Sequence, residues 1–300
     1  MADTAQFLSE PHEKPFFLNI GFFETHRDEI GRFRNHPPDR VRGVEVPPYL
    51  PDTPESRQEA AELQGSVKHL DTAVGAILDV VRQQGLLHDT WVIFTTDHGI
   101  AMPRAKCTLY DPGIETALLM LAEPFGLVGG RVIRDLISHV DLTPTILDAL
   151  GLPIPDRLQG RSYWPLLQGE PYTPRQHIFA EKTYHTAYEP QRAIRTERYK
   201  LIANLEVDII NVPADIQHSP IYPQMIDELT DERPPLELYD LMEDPLERDN
   251  LTGDPAHAEI QRALTQTLLA WMEETNDPIL RGPIPSPYYH RAMRLLGGDS

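Results

Sequence analysis

The sequence is poor in cysteine and in basic residues. Its single cysteine, Cys107, excludes an internal disulfide framework and an all-cysteine metal site. Lys and Arg number 27 against 46 Asp and Glu, which gives a formal net charge of -19. The field of such a chain repels other polyanions and argues against nonspecific binding to nucleic acid or to an anionic membrane surface. An anionic substrate therefore requires a locally basic pocket.

Long apolar runs are also lacking. None approaches the roughly 20 residues that span a bilayer. The opening stretch, MADTAQFLSEPHEKP, has no basic region followed by an apolar one. We therefore expect no membrane span and no export signal on this chain, while its compartment and oligomeric state stay open. At 300 residues with 40% hydrophobic content, the chain can bury a substantial core.

The first part of the chain alternates apolar runs with a helical pattern. PFFLNIGFF (residues 15–23) predicts a buried strand, and WVIFTT (91–96) lacks polar alternation, which predicts a strand covered on both faces. A third strand is predicted over 117–121. After the pair Thr53-Pro54, apolar residues recur at spacings of three and four, which predicts a long helix. This alternation predicts an α/β fold with a mostly parallel sheet flanked by helices.

The pattern changes in the last third of the chain. Short β-prone runs predict a hairpin over 193–196 and 199–202, with a third strand over 236–241 and a final helix after it. These elements predict a small antiparallel α+β subdomain. We therefore divide the chain into residues 1–188 and residues 189–300.

Polar residues that directly follow the predicted strands are the candidates for chemistry, because ligands bind outside the carboxyl ends of strands in open α/β sheets. His26 follows the first strand, Asp97 and His98 follow the second, and Lys106 lies in the next loop. Together they could hold a metal ion and a tetrahedral anion. The alternative is that Asp-His-Gly is an ordinary turn and each histidine is structural. We interpret His69, on the long helix, as structural or solvated.

Four segments, in order, resemble the sulfatase family: IFTTDHG, LTPTILDALG, AIRTERYKLI and ELYDLMEDPLERDNL. PFFLNIGFFETHRD and TTDHGIAMPRAKCTLYDPG are most similar to the heparan N-sulfatase (sulfamidase) group. The resemblance implies an incomplete alkaline phosphatase-like fold. Residues 1–188 would be the C-terminal portion of the catalytic α/β domain, and residues 189–300 the small C-terminal subdomain. It also implies hydrolysis of a sulfate ester or N-sulfate on a sulfated saccharide.

The resemblance implies a role for each candidate residue. Asp97 and His98 match two ligands of a divalent cation, usually calcium. Imidazole suits so hard a cation less well than oxygen does, so another divalent cation is possible. Lys106 matches a basic residue that contacts the sulfate group, and His26 matches a histidine that contacts the sulfate or assists the leaving group. His185 is a candidate for glycan binding, with an ordinary surface histidine as the alternative.

Two features of the family are missing from this sequence. Sulfatases make their nucleophile by oxidising Cys or Ser of a C/S-x-P-S-R motif to formylglycine, and no such motif is present. Cys107 is followed by Thr-Leu-Tyr-Asp and does not fit it. The pair of adjacent aspartates that supplies the other metal ligands is missing as well. We therefore expect formylglycine only in a missing N-terminal part, and little activity from this chain alone.

Two alternatives stay open for the function. One is a noncatalytic sulfatase-fold remnant that binds a glycan or a partner. The other is a related metal-dependent phosphodiesterase, because the metal motif does not distinguish phosphate from sulfate. Most members of the family work in periplasmic, extracellular or lysosomal compartments.

Overall fold

The computed structural model describes residues 2–28, 30–33, 36–206 and 212–297. The chain divides into two compact units, Met1–Pro174 with Val212–Leu229 and Arg175–Asn211 with Thr230–Ser300. The boundary predicted after residue 188 separates two domains of the sulfatase family. The compact units are defined by contacts and do not test that boundary, so it stays a prediction.

Helices and strands alternate in the first unit, and most strands belong to the second. The helices are α1 (Ala2–Ser9), α2 (Pro54–Gln83), α3 (Asp111–Ile114), α4 (Leu142–Ala149), α5 (Trp164–Gln168), α6 (Ala214–Gln217), α7 (Ile226–Thr230), α8 (Ala258–Glu274) and α9 (Pro287–Leu295). The strands are β1 (Val92–Thr95), β2 (Leu118–Leu121), β3 (His177–Tyr184), β4 (Tyr188–Thr196), β5 (Tyr199–Asn204) and β6 (Leu236–Asp240). Within the described part of the chain, no helix has the length and apolarity needed to cross a membrane.

The long helix α2 begins where the sequence predicts. The hydroxyl of Thr53 caps it by accepting a hydrogen bond from the Ser56 amide at 3.3 Å. Its apolar stripe is buried at Leu70 and Val81, whereas Val67 is 48% exposed. The helix is therefore confirmed, and only part of its predicted stripe faces the core.

The prediction of a mostly parallel sheet is not confirmed. β1 and β2 form where predicted but pair antiparallel, and β3 to β6 form an antiparallel sheet in chain order. The described residues contain no parallel pairing. An apolar run without polar alternation indicates that both faces are covered, and it carries no information about the direction of the neighbouring strand. Even the burial is incomplete, because every residue of β1 keeps some exposure to solvent.

The predicted strand over 15–23 is wrong. This segment contains no strand, and Phe17 and Phe23 are 82% and 49% exposed. Aromatic and apolar residues favour a strand only where a neighbouring strand completes the hydrogen-bonding ladder. Among the described residues, none supplies that ladder for this segment.

The antiparallel α+β architecture predicted for the C-terminal region is confirmed. β4 and β5 form the predicted hairpin, β6 pairs with β5, and β3 adds a fourth strand that the sequence did not indicate. The sheet packs against α8, and Ile194, Leu201 and Leu238 are buried with Leu264 and Leu268 of the helix. Apolar side chains at helical and strand spacing thus form one core in this unit.

Candidate active site

A tightly packed loop between β1 and α3 carries Lys106. At the start of the loop, a Cβ atom on Gly99 would lie 2.0 Å from the carbonyl oxygen of Pro112, so only glycine permits this approach. On either side of the lysine, Arg104 and Cys107 have φ angles of 62° and 65°. This left-handed conformation is unfavourable for residues with a side chain and persists where the surrounding structure imposes it. The loop therefore holds the lysine in a fixed place.

Lys106 is buried and has two polar partners. Its Nζ atom lies 2.6 Å from Oδ2 of Asp215 and 3.1 Å from Nε2 of His26, and only 4% of its side chain is exposed. A buried ammonium group requires such partners, because its charge is costly away from water. The ammonium group has three donors. Two are used here, and the third has no partner within the described residues.

The tautomer of His26 follows from its contacts. Nδ1 lies 2.6 Å from the carbonyl oxygen of Arg27. A carbonyl oxygen can only accept, so we assign the hydrogen of the neutral ring to Nδ1. Nε2 then carries the lone pair and accepts a hydrogen bond from Lys106. The two predicted residues therefore meet as a donor and an acceptor.

Asp215, in α6, is part of this cluster and was not predicted. Burial raises the pKa of Asp215, but the hydrogen bond and charge of Lys106, with smaller contributions from His26 and Arg27, outweigh burial and lower that pKa below the ordinary value of 3.8. Asp215 is therefore a carboxylate at neutral pH. It compensates the charge of the buried ammonium group, and no pattern in the sequence links two residues that lie 109 positions apart.

A buried ion pair positions the elements around the cluster. Arg27, next to the candidate histidine, pairs with Glu59 of α2, and both side chains are almost fully buried. Glu59 also accepts a hydrogen bond from the Ser219 hydroxyl at 2.7 Å, which ties the segment that carries Asp215 to the same helix. Removing either partner would leave an uncompensated buried charge. Arg27 and Glu59 are therefore positioning residues, which the sequence alone did not reveal.

Asp97 and His98 lie just beyond β1, separated from its last residue by Thr96. Oδ1 of Asp97 accepts a hydrogen bond from the His98 amide at 3.0 Å and lies 3.9 Å from His98 Nε2. His98 Nδ1 is 2.8 Å from the carbonyl oxygen of Gly99, so Nδ1 carries the hydrogen. Nε2 is then the ring atom that could bind a metal. The Asp97 side chain is 91% exposed, so its second oxygen is accessible from solvent.

These two residues do not complete a calcium site. Calcium takes roughly six to eight oxygen ligands. The pair offers one carboxylate and one imidazole, and among the described residues it belongs to no group of three metal-ligating side chains. The further ligands that calcium requires beside Asp97 and His98 are therefore not found among the described residues.

His185 lies in the second unit, at the exposed turn between β3 and β4. Its amide donates to the carbonyl oxygen of Ala187 at 3.2 Å, and its Nδ1 is 3.3 Å from the Thr186 hydroxyl. The glycan contact of His185 stays a prediction. Of the predicted residues, His26 and Lys106 are in direct contact, and both lie in the first unit.

Comparison with known proteins shows the family to which the chain belongs. A structure from a study of the metabolism of multiple glycosaminoglycans by Bacteroides thetaiotaomicron matches 95% of this chain and 61% of its own, with a TM-score of 0.66 at 21% identity. This likeness shows the fold. The Sulfatase family profile matches residues 1–152, and the profile described as N-sulphoglucosamine sulphohydrolase, C-terminal, matches residues 103–222. The chain belongs to the sulfatase family.

Two curated relatives give the extent of the match. Human N-sulphoglucosamine sulphohydrolase is 30% identical over an alignment of 325 positions, gaps included, that takes in 93% of this chain and 64% of the relative. Human arylsulfatase A is 30% identical over an alignment of 280 positions that takes in 87% of this chain and 49% of the relative. The chain thus spans between about half and two thirds of the length of these relatives.

Proposed function

We propose that this chain provides the sulfate-binding part of a hydrolase that cleaves a sulfate ester or an N-sulfate on a sulfated glycan. The observation that supports the proposal is the contact of Lys106 with both His26 and Asp215. It holds a cation in a fixed place on a chain of strongly negative net charge. The human relative, N-sulphoglucosamine sulphohydrolase, is named for a sulfated glucosamine, which favours such a sugar as the substrate.

Lys106 is suited to bind the sulfate group. Its ammonium group has one N–H direction left after the contacts with His26 and Asp215, and this donor could contact a sulfate oxygen. A preorganised cation also stabilises negative charge that develops on the sulfate oxygens or on the leaving group in the transition state. The loop conformation and the ion pair with Asp215 keep the ammonium group in place, so little reorganisation is needed when the anion arrives.

His26 contributes to the same site through Lys106. In the present arrangement Nε2 accepts a hydrogen bond from Lys106 and has no proton to give. To act as a general acid towards the leaving group, the ring must first gain a proton at Nε2 and lose that hydrogen bond. We therefore propose that His26 orients the ammonium group before the substrate binds, and that donation to the leaving group requires the protonated ring.

This chain would supply only some of the metal ligands and would not supply the nucleophile. Asp97 and His98 would be two ligands of a divalent cation, calcium or another, that neutralises charge on the sulfate group. The remaining ligands and the formylglycine would come from a part that this sequence does not contain. His185 would contact the saccharide. We accordingly propose that this chain alone binds a sulfated saccharide but turns it over slowly or not at all.

An assay with purified chain tests this proposal. N-sulfated glucosamine, 6-O-sulfated glucosamine and a phosphodiester are each incubated with the chain. Released sulfate is measured for the two sugars and the released alcohol for the phosphodiester, and binding is followed by calorimetric titration. We expect saturable binding of a sulfated sugar, weaker binding of its desulfated form, and no more than trace turnover. Robust sulfate release would contradict the expectation that this chain lacks the nucleophile. Preferential phosphodiester cleavage would favour the phosphodiesterase alternative.

The noncatalytic alternative requires a different measurement. Binding without turnover is expected both for part of a sulfatase and for a noncatalytic binding protein. The coding sequence upstream of Met1 distinguishes them. An in-frame aspartate pair with a C/S-x-P-S-R motif would support the catalytic reading. Their absence, together with a native protein mass equal to that of this chain, would support a binding protein.

A further inference from the structure

A cluster of metal-ligating side chains lies in the first unit, formed by Glu24, His36 and His69. One ligand atom from each residue lies within 4.8 Å of the other two. His36 Nε2 is 3.6 Å from Oε1 of Glu24, and the two imidazole rings stack with centroids 4.2 Å apart and an angle of 22° between their planes. None of the three residues was predicted to bind a metal.

Backbone packing holds His36 beside α2. The carbonyl oxygen of the next residue, Pro37, would lie 2.2 Å from a Cβ atom on Gly65, so the backbone meets the helix at a place where only glycine fits. His69 is four residues further along α2, about one helical turn, and so lies on the same side of the helix. The stacked rings therefore result from close packing between this segment and the helix.

The buried Nε2 nitrogen of His36 lacks a hydrogen-bond partner within the described part of the chain. The atom is shielded from solvent. The Glu24 carboxylate, 3.6 Å away, is beyond ordinary hydrogen-bond distance. A buried polar atom without a partner costs free energy and calls for an explanation such as a bound ion. The position of Glu24 also provides a negative charge for a cation at this place.

We propose that Glu24, His36 and His69 bind one divalent transition-metal ion, with zinc as the best fit. Two imidazoles and one carboxylate form a known ligand set for zinc, in which water takes the fourth position. Imidazole ligands also favour zinc over calcium, so this site differs chemically from the calcium role proposed for Asp97.

Metal binding requires the stacked imidazole rings of His36 and His69 to rotate, because each nitrogen lone pair lies in the plane of its own ring and the two planes are only 22° apart. In a tetrahedral site with bonds of about 2.0 to 2.1 Å, the ligand atoms lie about 3.3 Å apart. The three ligand atoms already lie within 4.8 Å of one another. His69 is exposed, which gives the ion an access path from solvent. The bound ion would cross-link the segment of Glu24, the segment of His36 and helix α2.

Titration of the metal-free chain with Zn²⁺ and with Co²⁺ tests the site, without any sulfated ligand present. We expect one equivalent of Zn²⁺ to bind, and a rise in the thermal midpoint on the order of 5 °C at saturating metal. The absorption spectrum of bound Co²⁺ should be that of a four-coordinate complex. H69A and E24Q should each weaken Zn²⁺ binding at least tenfold, whereas H88A, which removes another exposed histidine, should leave it unchanged.

Each outcome bears directly on the site. His69 is exposed, so H69A is expected to fold, and circular dichroism verifies that it does. D97N separates the site from the candidate calcium ligands, because it should leave Zn²⁺ affinity unchanged. Equal Zn²⁺ affinity in the chain, H69A and E24Q would overturn the proposal, as would a loss of binding in D97N or H88A of the same size as in H69A.

Discussion

Lys106 depends on Asp215 for its charge balance in the folded chain. The D215N variant removes the carboxylate and leaves the ammonium group almost fully buried, so we expect it to lower the free energy of unfolding by about 3 kcal/mol near neutral pH. Because folding lowers the pKa of Asp215, the ionised carboxylate stabilises the fold above the ordinary value of 3.8, and this stabilisation is lost as the pH falls through the folded pKa.

The pH dependence of D215N relative to the chain isolates this contribution. Many other carboxylates titrate in the same range, and the difference between two proteins that share them cancels their effect to first order. The difference in urea midpoint should be constant above about pH 5 and should shrink below the unfolded-state value. D71N, at an exposed aspartate in the middle of α2, should show almost no difference at any pH. A difference for D215N that is as large at about pH 3 as near neutrality would contradict the assignment.

Some of the residues around Lys106 could be predicted from the sequence, and others could not. His26 and Lys106 lie in short segments that resemble a family, and the structure brings them into contact. Asp215 approaches them only because the chain returns after more than a hundred residues, which no local pattern reports. Glu59 could have been suspected as an acid beside the buried Ala60 and Ala61 on α2. Its partner Arg27 could not, because the sequence does not show which residues face each other.

The loop that follows β1 depends on a close backbone approach at Gly99. A methyl group in G99A would meet the carbonyl oxygen of Pro112 at 2.0 Å, which the backbone can relieve only by moving the loop. We expect a loss of about 2 kcal/mol in the free energy of unfolding. Displacement of Lys106 should also weaken binding of a sulfated sugar.

G75A is the matched control for this prediction. Gly75 lies within α2, and a Cβ atom there would meet nothing within 4 Å. Alanine is a better helix former than glycine, so G75A should stabilise the chain by about 0.5 to 1 kcal/mol. Chemical denaturation measures both variants. A G99A variant as stable as G75A would show that the loop does not require this approach.

Elements with local patterns were predicted best. α2 has a cap, a proline and a periodic apolar stripe, and the hairpin of β4 and β5 needs only residues that are near in sequence. Pairing between distant segments was predicted poorly, as the antiparallel pair of β1 and β2 and the absence of a strand in segment 15–23 show. A run of apolar residues indicates that a segment will pack, while the partner and its direction depend on the rest of the fold.

The charge of the whole molecule limits how it can bind an anion. A net charge of -19 repels a sulfated glycan at long range. At physiological ionic strength the screening length is about 8 Å, so this repulsion is largely screened and local contacts decide the affinity. Binding should therefore depend on a few cations that face the ligand, Lys106 first, and little on lysines elsewhere on the surface.

Calorimetric titration of the chain with an N-sulfated disaccharide, at about 0.15 M salt, tests the sulfate-binding role of Lys106 most directly. K68M, at a lysine whose side chain is 65% exposed, is the control, and H26Q is a second variant that does not depend on the folding of K106M. We predict that K106M weakens binding of the disaccharide at least about tenfold, which corresponds to 1.4 kcal/mol. H26Q should also weaken binding, and K68M should leave it nearly unchanged. Equal affinity for the disaccharide in the chain, K106M and H26Q, or equal binding of the desulfated disaccharide, would contradict the sulfate site.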